Sequence, residues 1–350
     1  MEELGAGSGR SRLATPPPPS APTLPPPPPP PPGAAPPSLS REPSFHGSGG
    51  TLLGIHVVNV LLIIVTLGVY YVWAKTRVRR YIFSQTSFEG DRFAYHGTGK
   101  ELLLGFLKAF LVFLLPIIGL TIVRDQLDVD PRIKNGAAFL ISVLFLVFIP
   151  VAMVGSRRYR LTRTSWRGIR FAFRGRARNF VVLFIKGYLL SLVTFGLYYP
   201  IYLTRRQAFM VSNSYFGNER FDFEGRGRDL LAGFVLAVLL TLPTVGLCWI
   251  WYLARKRRFF WDHTTLGTAR FRATVTGGAL LGLYLVNLLL LVVTLGIAWP
   301  WVRARNLRFT YRYLALVGVV DFEHIRQQAQ FASATGEGLA GFLDTGFDLG

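Results

Sequence analysis

Three short motifs return along this chain in one register, which limits it to architectures assembled from a small repeated unit. An aromatic-x-Gly triplet opens at Phe45-His46-Gly47, Tyr95-His96-Gly97, Phe173-Arg174-Gly175 and Phe223-Glu224-Gly225, at intervals of 50, 78 and 50 residues. A degenerate start, Ala273-Thr274-Val275, follows after 50 more. Arg-Phe pairs at Arg92, Arg170, Arg220 and Arg270 are likewise spaced 78, 50 and 50. Thr-x-Gly keeps the register at Thr66–Gly68, Thr194–Gly196, Thr244–Gly246 and Thr294–Gly296. About five tandem units are therefore expected: 45–94, 95–172, 173–222, 223–272 and 273–322, the second being 28 residues longer.

Each unit carries sequence too apolar for a helix with a solvated face. Stretches 51–73, 102–123, 137–155, 180–204, 230–254 and 279–302 run to about 19–25 residues, enough at ~1.5 Å each to cross a core of ~30 Å. Only Lys108 and Lys186 place a charge well inside one. Membrane insertion is expected, with the first stretch as an uncleaved insertion signal because polar sequence precedes it.

The formal net charge of +20 raises the question of a nucleic-acid partner. Its distribution answers no: basic residues sit in short segments beside the apolar ends, such as Lys75–Arg80 and Arg255–Arg258, as in cytoplasmic loops. Cys248 is the single cysteine, so no intrachain disulfide can form, and no Cys/His cluster has metal-ligand spacing. No cofactor is expected.

Residues 1–44 hold 16 of the 22 prolines. Such sequence cannot build a core and favours extended polyproline II, so a disordered tail is expected, with a proline-recognition domain as the partner it could take. Residues 323–350 form a second tail. Within each unit a glycine-bearing lead-in precedes the apolar helix with its Thr-x-Gly. An aromatic cluster such as Tyr70-Tyr71-Val72-Trp73 or Trp299-Pro300-Trp301 marks the headgroup level. A basic helical segment follows, with Arg77, Arg205, Arg255 and Arg305 at one position. The unit closes on a strand–turn–strand pattern, with 86–96 and 214–224 expected as β-hairpins turning at Gly90 and Gly217. The fold class is thus mostly α, a multi-pass membrane protein with short interfacial β-hairpins.

The run Asn59–Lys75, with Val65-Thr66-Leu67-Gly68-Val69-Tyr70-Tyr71-Val72-Trp73 at its centre, resembles the YjgN-like family of bacterial inner-membrane proteins. So does its sequel, Arg77-Val78-Arg79-Arg80-Tyr81 through Gly90-Asp91-Arg92-Phe93 to Gly97. The likeness covers residues 45–322. It departs in the second unit, which lacks Thr-x-Gly, and in the fifth, which lacks Arg-Phe. The resemblance implies a multi-pass protein of the bacterial inner (plasma) membrane and brings no catalytic residues.

Lys and Arg number 6, 9 and 6 in loops 74–101, 156–179 and 255–278. They number 3, 3, 5 and 5 in the tail 1–50, loops 124–136 and 205–229, and the tail 303–350. Six single crossings would place the first group in the cytoplasm and is the favoured arrangement, since Thr and Gly sit well in straight membrane helices. The alternative makes each Thr-x-Gly the tip of a re-entrant hairpin. All basic loops would then be cytoplasmic, and the longer second unit would be a full-depth hairpin.

Lys108 and Lys186 fall 13 residues after an aromatic start, and Asn59 and Asn287 fall 14 after theirs. At one depth these could line a polar interior, although the lysines can snorkel outward and asparagines often only pair helices. Arg92, Arg170, Arg220 and Arg270 suit lipid phosphates, against a plainer role of solvating a hairpin face above packed Phe. His46 and His96 share a position that Arg174 and Glu224 also fill, so no metal site is expected there. No Ser/His/Asp, paired-carboxylate or phosphate-loop arrangement occurs, and an enzyme is not expected. Two functions remain: transport through a polar interior, or a membrane-organising scaffold that binds anionic lipid.

Overall fold

The computed structural model describes residues 40–126, 130–320, 322 and 325. The proline-rich segment before Ser40 and nearly all of the C-terminal tail lie outside them. Helix dominates, arranged as helical hairpins. The first pairs α1 (Gly49–Val65) with α2 (Tyr71–Ser84). In the second, α3 (Gly99–Ala109) runs through a π-helical turn, Phe110–Leu114, into α4 (Leu115–Asp125) and returns as α5 (Pro131–Thr162). The others are α6 (Ala177–Val193) with α7 (Tyr199–Ser212), α8 (Arg228–Leu239) with α9 (Cys248–Asp262), and α10 (Gly277–Val293) with α11 (Trp299–Arg312).

Side chains show that each pair is antiparallel. Asn59 reaches the Ala74 carbonyl, Phe180 packs on Phe209, Phe234 on Tyr252, and Asn287 bonds Asn306. The Thr-x-Gly motif makes the reversal. Thr66 Oγ1 donates to the Leu62 carbonyl at 2.7 Å and accepts from Tyr70 N at 2.9 Å, so one hydroxyl serves the end of α1 and the start of α2. Gly68, at φ +93, donates its N–H to the Ile63 carbonyl, the bond that ends a helix in a left-handed turn. Thr194, Thr244 and Thr294 repeat this arrangement.

The expected β-hairpins are present. β3 (Thr86–Phe88) and β4 (Asp91–Tyr95) turn through Glu89 and Gly90, both at positive φ as a two-residue I′ turn demands. β7 (Ser214–Phe216) and β8 (Glu219–Phe223) turn at Gly217. β5 (Thr164–Trp166) pairs with β6 (Ile169–Phe173), and β9 (Thr264–Leu266) with β10 (Ala269–Ala273). These hairpins are not separate interfacial pieces, as the sequence suggested. With β1 (Ser40–Arg41), β2 (Ser44–Phe45) and β11 (Leu314–Val317) they join one antiparallel sheet of 11 strands, ordered β1-β11-β10-β9-β8-β7-β6-β5-β4-β3-β2.

The two edge strands of that sheet are neighbours in the chain, separated by Glu42 and Pro43 alone. Ser40 pairs with Val317 at one edge and Ser44 with Ser87 at the other, so the sheet curls until a single segment, Ser40–Phe45, spans both edges. This leaves no long edge open to pair with another chain. It also supplies the strand missing from the fifth unit, which comes from the stretch read as tail. Pro43 occupies the register position of Phe93 and has no N–H to give a ladder, which accounts for the split into two short strands. Inside the curl Phe93, Phe171, Phe221 and Phe271 form a ladder with centroids 6.3–6.5 Å apart. Phe322 caps it, touching Phe88, Trp166 and Phe216 together.

The helical hairpins close in the same sense: α2 packs on α3, α5 on α6, α7 on α8, α9 on α10, and α11 back on α1. Arg80, Arg158 and Arg258 each donate to a carbonyl in the next lead-in, at Gly97, Gly175 and Val275, and Arg308 donates to Gly47. The indoles of Trp73, Trp251 and Trp301 lie on the helix-starting glycines Gly99, Gly277 and Gly49, where a Cβ would fall 2.3–2.5 Å from the ring.

This arrangement overturns the six single crossings. Successive loops would then alternate between two faces of a membrane. In the structure β6 from loop 156–179 bonds β7 from loop 205–229, and β8 from loop 205–229 bonds β9 from loop 255–278. Loops sharing a hydrogen-bonded sheet lie together. The physical reason is the left-handed turn at Thr-x-Gly, which sends each short helix back to the side it came from.

Candidate membrane interface

The residue between Thr and Gly at each short tip has the least support from the fold. Leu67, Phe195, Val245 and Leu295 all take φ near +50°, a region that costs an ordinary L-residue roughly 1–2 kcal/mol. Their side chains are 94%, 98%, 91% and 92% exposed, so no packing within the chain repays that strain. Gly or Asn would serve such a turn better in water. Large apolar residues at four strained, fully exposed tips therefore point to an apolar medium beyond them. The helices behind are lined the same way: Ile64, Val65, Val193 and Val293 are all exposed.

The second hairpin reaches further. Gly99–Asp125 and Pro131–Thr162, at 27 and 32 residues, are the two helical runs among the described residues long and apolar enough to cross a membrane. Midway along the return helices, on the sheet side of the Trp and Tyr clusters, stand the exposed arginines Arg77, Arg205, Arg255 and Arg305. The order from tip to sheet is thus apolar, aromatic, basic, the order of a membrane leaflet from core to surface.

The four residues considered for a shared polar interior do not meet. Asn59 and Asn287 are buried within their own hairpins, Asn59 donating to the Ala74 carbonyl at 3.5 Å and Asn287 to Asn306 Oδ1 at 2.7 Å. Lys108 and Lys186 are exposed. One residue separates the two register positions, and one residue turns a helix by ~100°. The Asn position, shared with Ala109, Gly187 and Ala237, faces the mate helix and is buried in all five hairpins. The Lys position therefore faces outward. The neighbouring contacts obey simple volume matching: Gly187 faces Tyr202, while Ala109 and Ala152 pack in one fully buried cluster.

Arg92, Arg170, Arg220 and Arg270 are exposed on alternate strands β4, β6, β8 and β10, roughly 10 Å apart, with the Phe ladder on the other face. Arg220 pairs with Asp222 at 3.1 Å and Arg270 with Glu224 at 2.9 Å. They form a spaced row and not a single phosphate pocket. His46 and His96 each hydrogen-bond a serine, His96 to Ser165 Oγ at 2.8 Å. Burial, then the charges of Arg170, Arg163 and Arg80, hold the His96 pKa below its usual value. No group of three or more His, Cys, Asp or Glu suited to a metal occurs among the described residues.

Sequence reading missed the Trp-on-Gly joints and the Arg-to-carbonyl bonds. Their signals were present, since Trp73 and Gly99 stand 26 residues apart, as do Trp251 and Gly277.

A family profile described as bacterial protein of unknown function (DUF898) matches residues 41–249 and 226–342. The inner membrane protein YjgN of Salmonella typhimurium is 32% identical over 162 residues, covering 43% of this chain and 38% of that protein. The YjgN proteins of Escherichia coli K12 and O157:H7 are 33% and 36% identical, over 39% and 37% of this chain. The chain thus aligns with about a third of the length of these relatives, 30–38%. No solved structure matches.

Proposed function

From the premise that this chain belongs to the DUF898 family and is YjgN-like, we propose that it is an integral protein of the bacterial inner membrane, built of five tandem units, that acts as a lipid-contacting scaffold on the cytoplasmic leaflet. One hairpin, 99–162, crosses the bilayer twice, and four short hairpins enter a single leaflet and return. The observation that carries this reading is the row of strained, solvent-exposed apolar tips at Leu67, Phe195, Val245 and Leu295, opposite a sheet that gathers every basic loop. Positive-inside bias then assigns the sheet to the cytoplasm. Each Lys or Arg near an anionic surface adds about 1 kcal/mol of attraction, so lipid is the natural partner. Transport draws less support, because the curled sheet is filled by the Phe ladder and Phe322.

Cysteine labelling tests the placement. In a Cys248→Ala background, Asn218→Cys is expected to resist a membrane-impermeant label in intact cells and to react in inverted vesicles. Arg132→Cys, beside the turn of the long hairpin, is expected to behave oppositely. Labelling of Asn218→Cys from outside would overturn the one-leaflet reading.

A further inference from the structure

The fourth hairpin, α8 with α9, differs from the three other short ones at two positions, and together these open a cleft. Where the others have Val65, Val193 and Val293, it has Pro243. Proline has no N–H for the i−4 bond, and its ring clashes with the i−4 carbonyl, here that of Leu239. Accordingly α8 ends at Leu239 after 12 residues, whereas α1, α6 and α10 each run 17. The following residues pass through turns before α9 begins at Cys248. The second difference is Gly233, where the others have Ile55, Leu183 and Leu283. A Cβ on Gly233 would lie 3.3 Å from Arg255 Nη1, so the guanidinium rests against bare helix backbone.

The result is a cleft of about 710 Å³ between α8 and α9, within the roughly 300–1,000 Å³ range of ligand sites. Its walls are apolar, with Leu236, Leu240, Pro243 and Leu247 toward the tip, and Arg255 and Tyr252 complete it. Tyr252 is 6% exposed, yet its hydroxyl has no hydrogen-bond partner among the described residues. Arg255 has no carboxylate partner among them. A buried donor left unpaired is costly, but this hydroxyl lies behind the cleft wall, and the exposed Arg255 guanidinium is the polar group that a ligand in the cleft can meet.

We propose that this cleft holds one acyl chain of an anionic phospholipid, with the phosphate oxygens accepting hydrogen bonds from Arg255. The charge distribution selects the occupant: a long apolar trough with a cation at its sheet-side end matches a chain with an acidic head. The proposal rests on the one-leaflet reading, which places the trough among lipid tails and Arg255 at the headgroups.

The test uses the full chain reconstituted with phosphatidylglycerol or phosphatidylcholine, extracted in mild detergent and examined by native mass spectrometry. Wild type is expected to retain one phosphatidylglycerol at about tenfold higher occupancy than Arg255→Gln, the scale of one charge-assisted hydrogen bond. Gly233→Leu, which restores the residue found at Leu183 and Leu283, should lose it as well. Equal retention by wild type and Gly233→Leu overturns the site, and equal retention of both lipids overturns the headgroup assignment. Asn218→Cys labelling on the Gly233→Leu chain separates the two levels. If that cysteine stays protected in intact cells while lipid retention shows no difference, the cleft alone fails. Labelling from outside removes the leaflet placement on which it rests.

Discussion

Gly187→Ala should destabilise the third hairpin, against the general rule that alanine strengthens a helix. Gly187 lies mid-way along α6, where the exchange gains about 0.5–1 kcal/mol of backbone entropy. Its missing Cβ is where Tyr202 sits: an added methyl would fall 2.0 Å from Cδ2 and 2.7 Å from Cε2. Carbon atoms prefer roughly 3.5–4.0 Å, so one helix must retreat by about 1.5 Å. Tyr202 is only 7% exposed and is held edge-on by Phe184 at 6.1 Å, so the ring has little freedom to swing clear. Overpacking of this kind costs about 1–3 kcal/mol and, set against that gain, leaves a net loss of up to about 2.5 kcal/mol. The partner change Tyr202→Ala leaves a cavity and costs about 3–5 kcal/mol alone. Together the two changes recreate the native Ala109–Ala152 contact of the long hairpin. The double variant should therefore be more stable than the sum of the singles by about 1–2 kcal/mol, the coupling expected of touching residues. Thermal unfolding in mild detergent, followed by near-ultraviolet circular dichroism, measures all four corners of the cycle. A stabilising Gly187→Ala, or strictly additive changes, would refute the packing argument.

Phe195→Trp should give a tip indole with blue-shifted emission, quenched by brominated acyl chains; emission typical of water and insensitive to bromine would sink the tip insertion. Glu101 accepts from Tyr159 Oη at 2.9 Å and from Arg163 Nη2 at 2.8 Å, and Tyr159 is fully buried. Glu101→Ala should cost about 1–3 kcal/mol in thermal unfolding, since it strands that hydroxyl, while Glu101→Gln, which can still accept, should cost less. For His96 the folded pKa lies below the unfolded value of about 6.5, so its neutral form favours the folded state. That contribution is present above pH 6.5 and is lost as pH falls through the folded pKa. His96→Gln should flatten this part of the acid limb of a stability–pH profile, by a small amount because the ring is partly exposed. An unchanged limb would show that His96 is not coupled to folding.

Much of this architecture was legible in local patterns. The common register of Phe45-His46-Gly47, Arg92-Phe93 and Thr66-Leu67-Gly68 suggested units of one kind, and alternation around Gly90 marked a hairpin with Phe93 in and Arg92 out. Those features depend on residues a few positions apart, whose φ preferences and side-chain period are intrinsic. The direction of the chain after Thr-x-Gly was not legible. A threonine and a glycine satisfy their backbone equally in a straight membrane helix and in a reversal, and only the packing of α1 on α2, with Asn59 against Ala74, selects positive φ at Leu67. The same holds for Lys108 and Lys186: their depth can be counted along the sequence, but which way they face depends on where the mate helix lies. Closure of the sheet is the furthest from local information. The unit that lacks its last strand and the segment that provides it stand at opposite ends of the described chain, and the pairing of Ser40 with Val317 exists only because the intervening strands curl through a full turn and bring the two edges together.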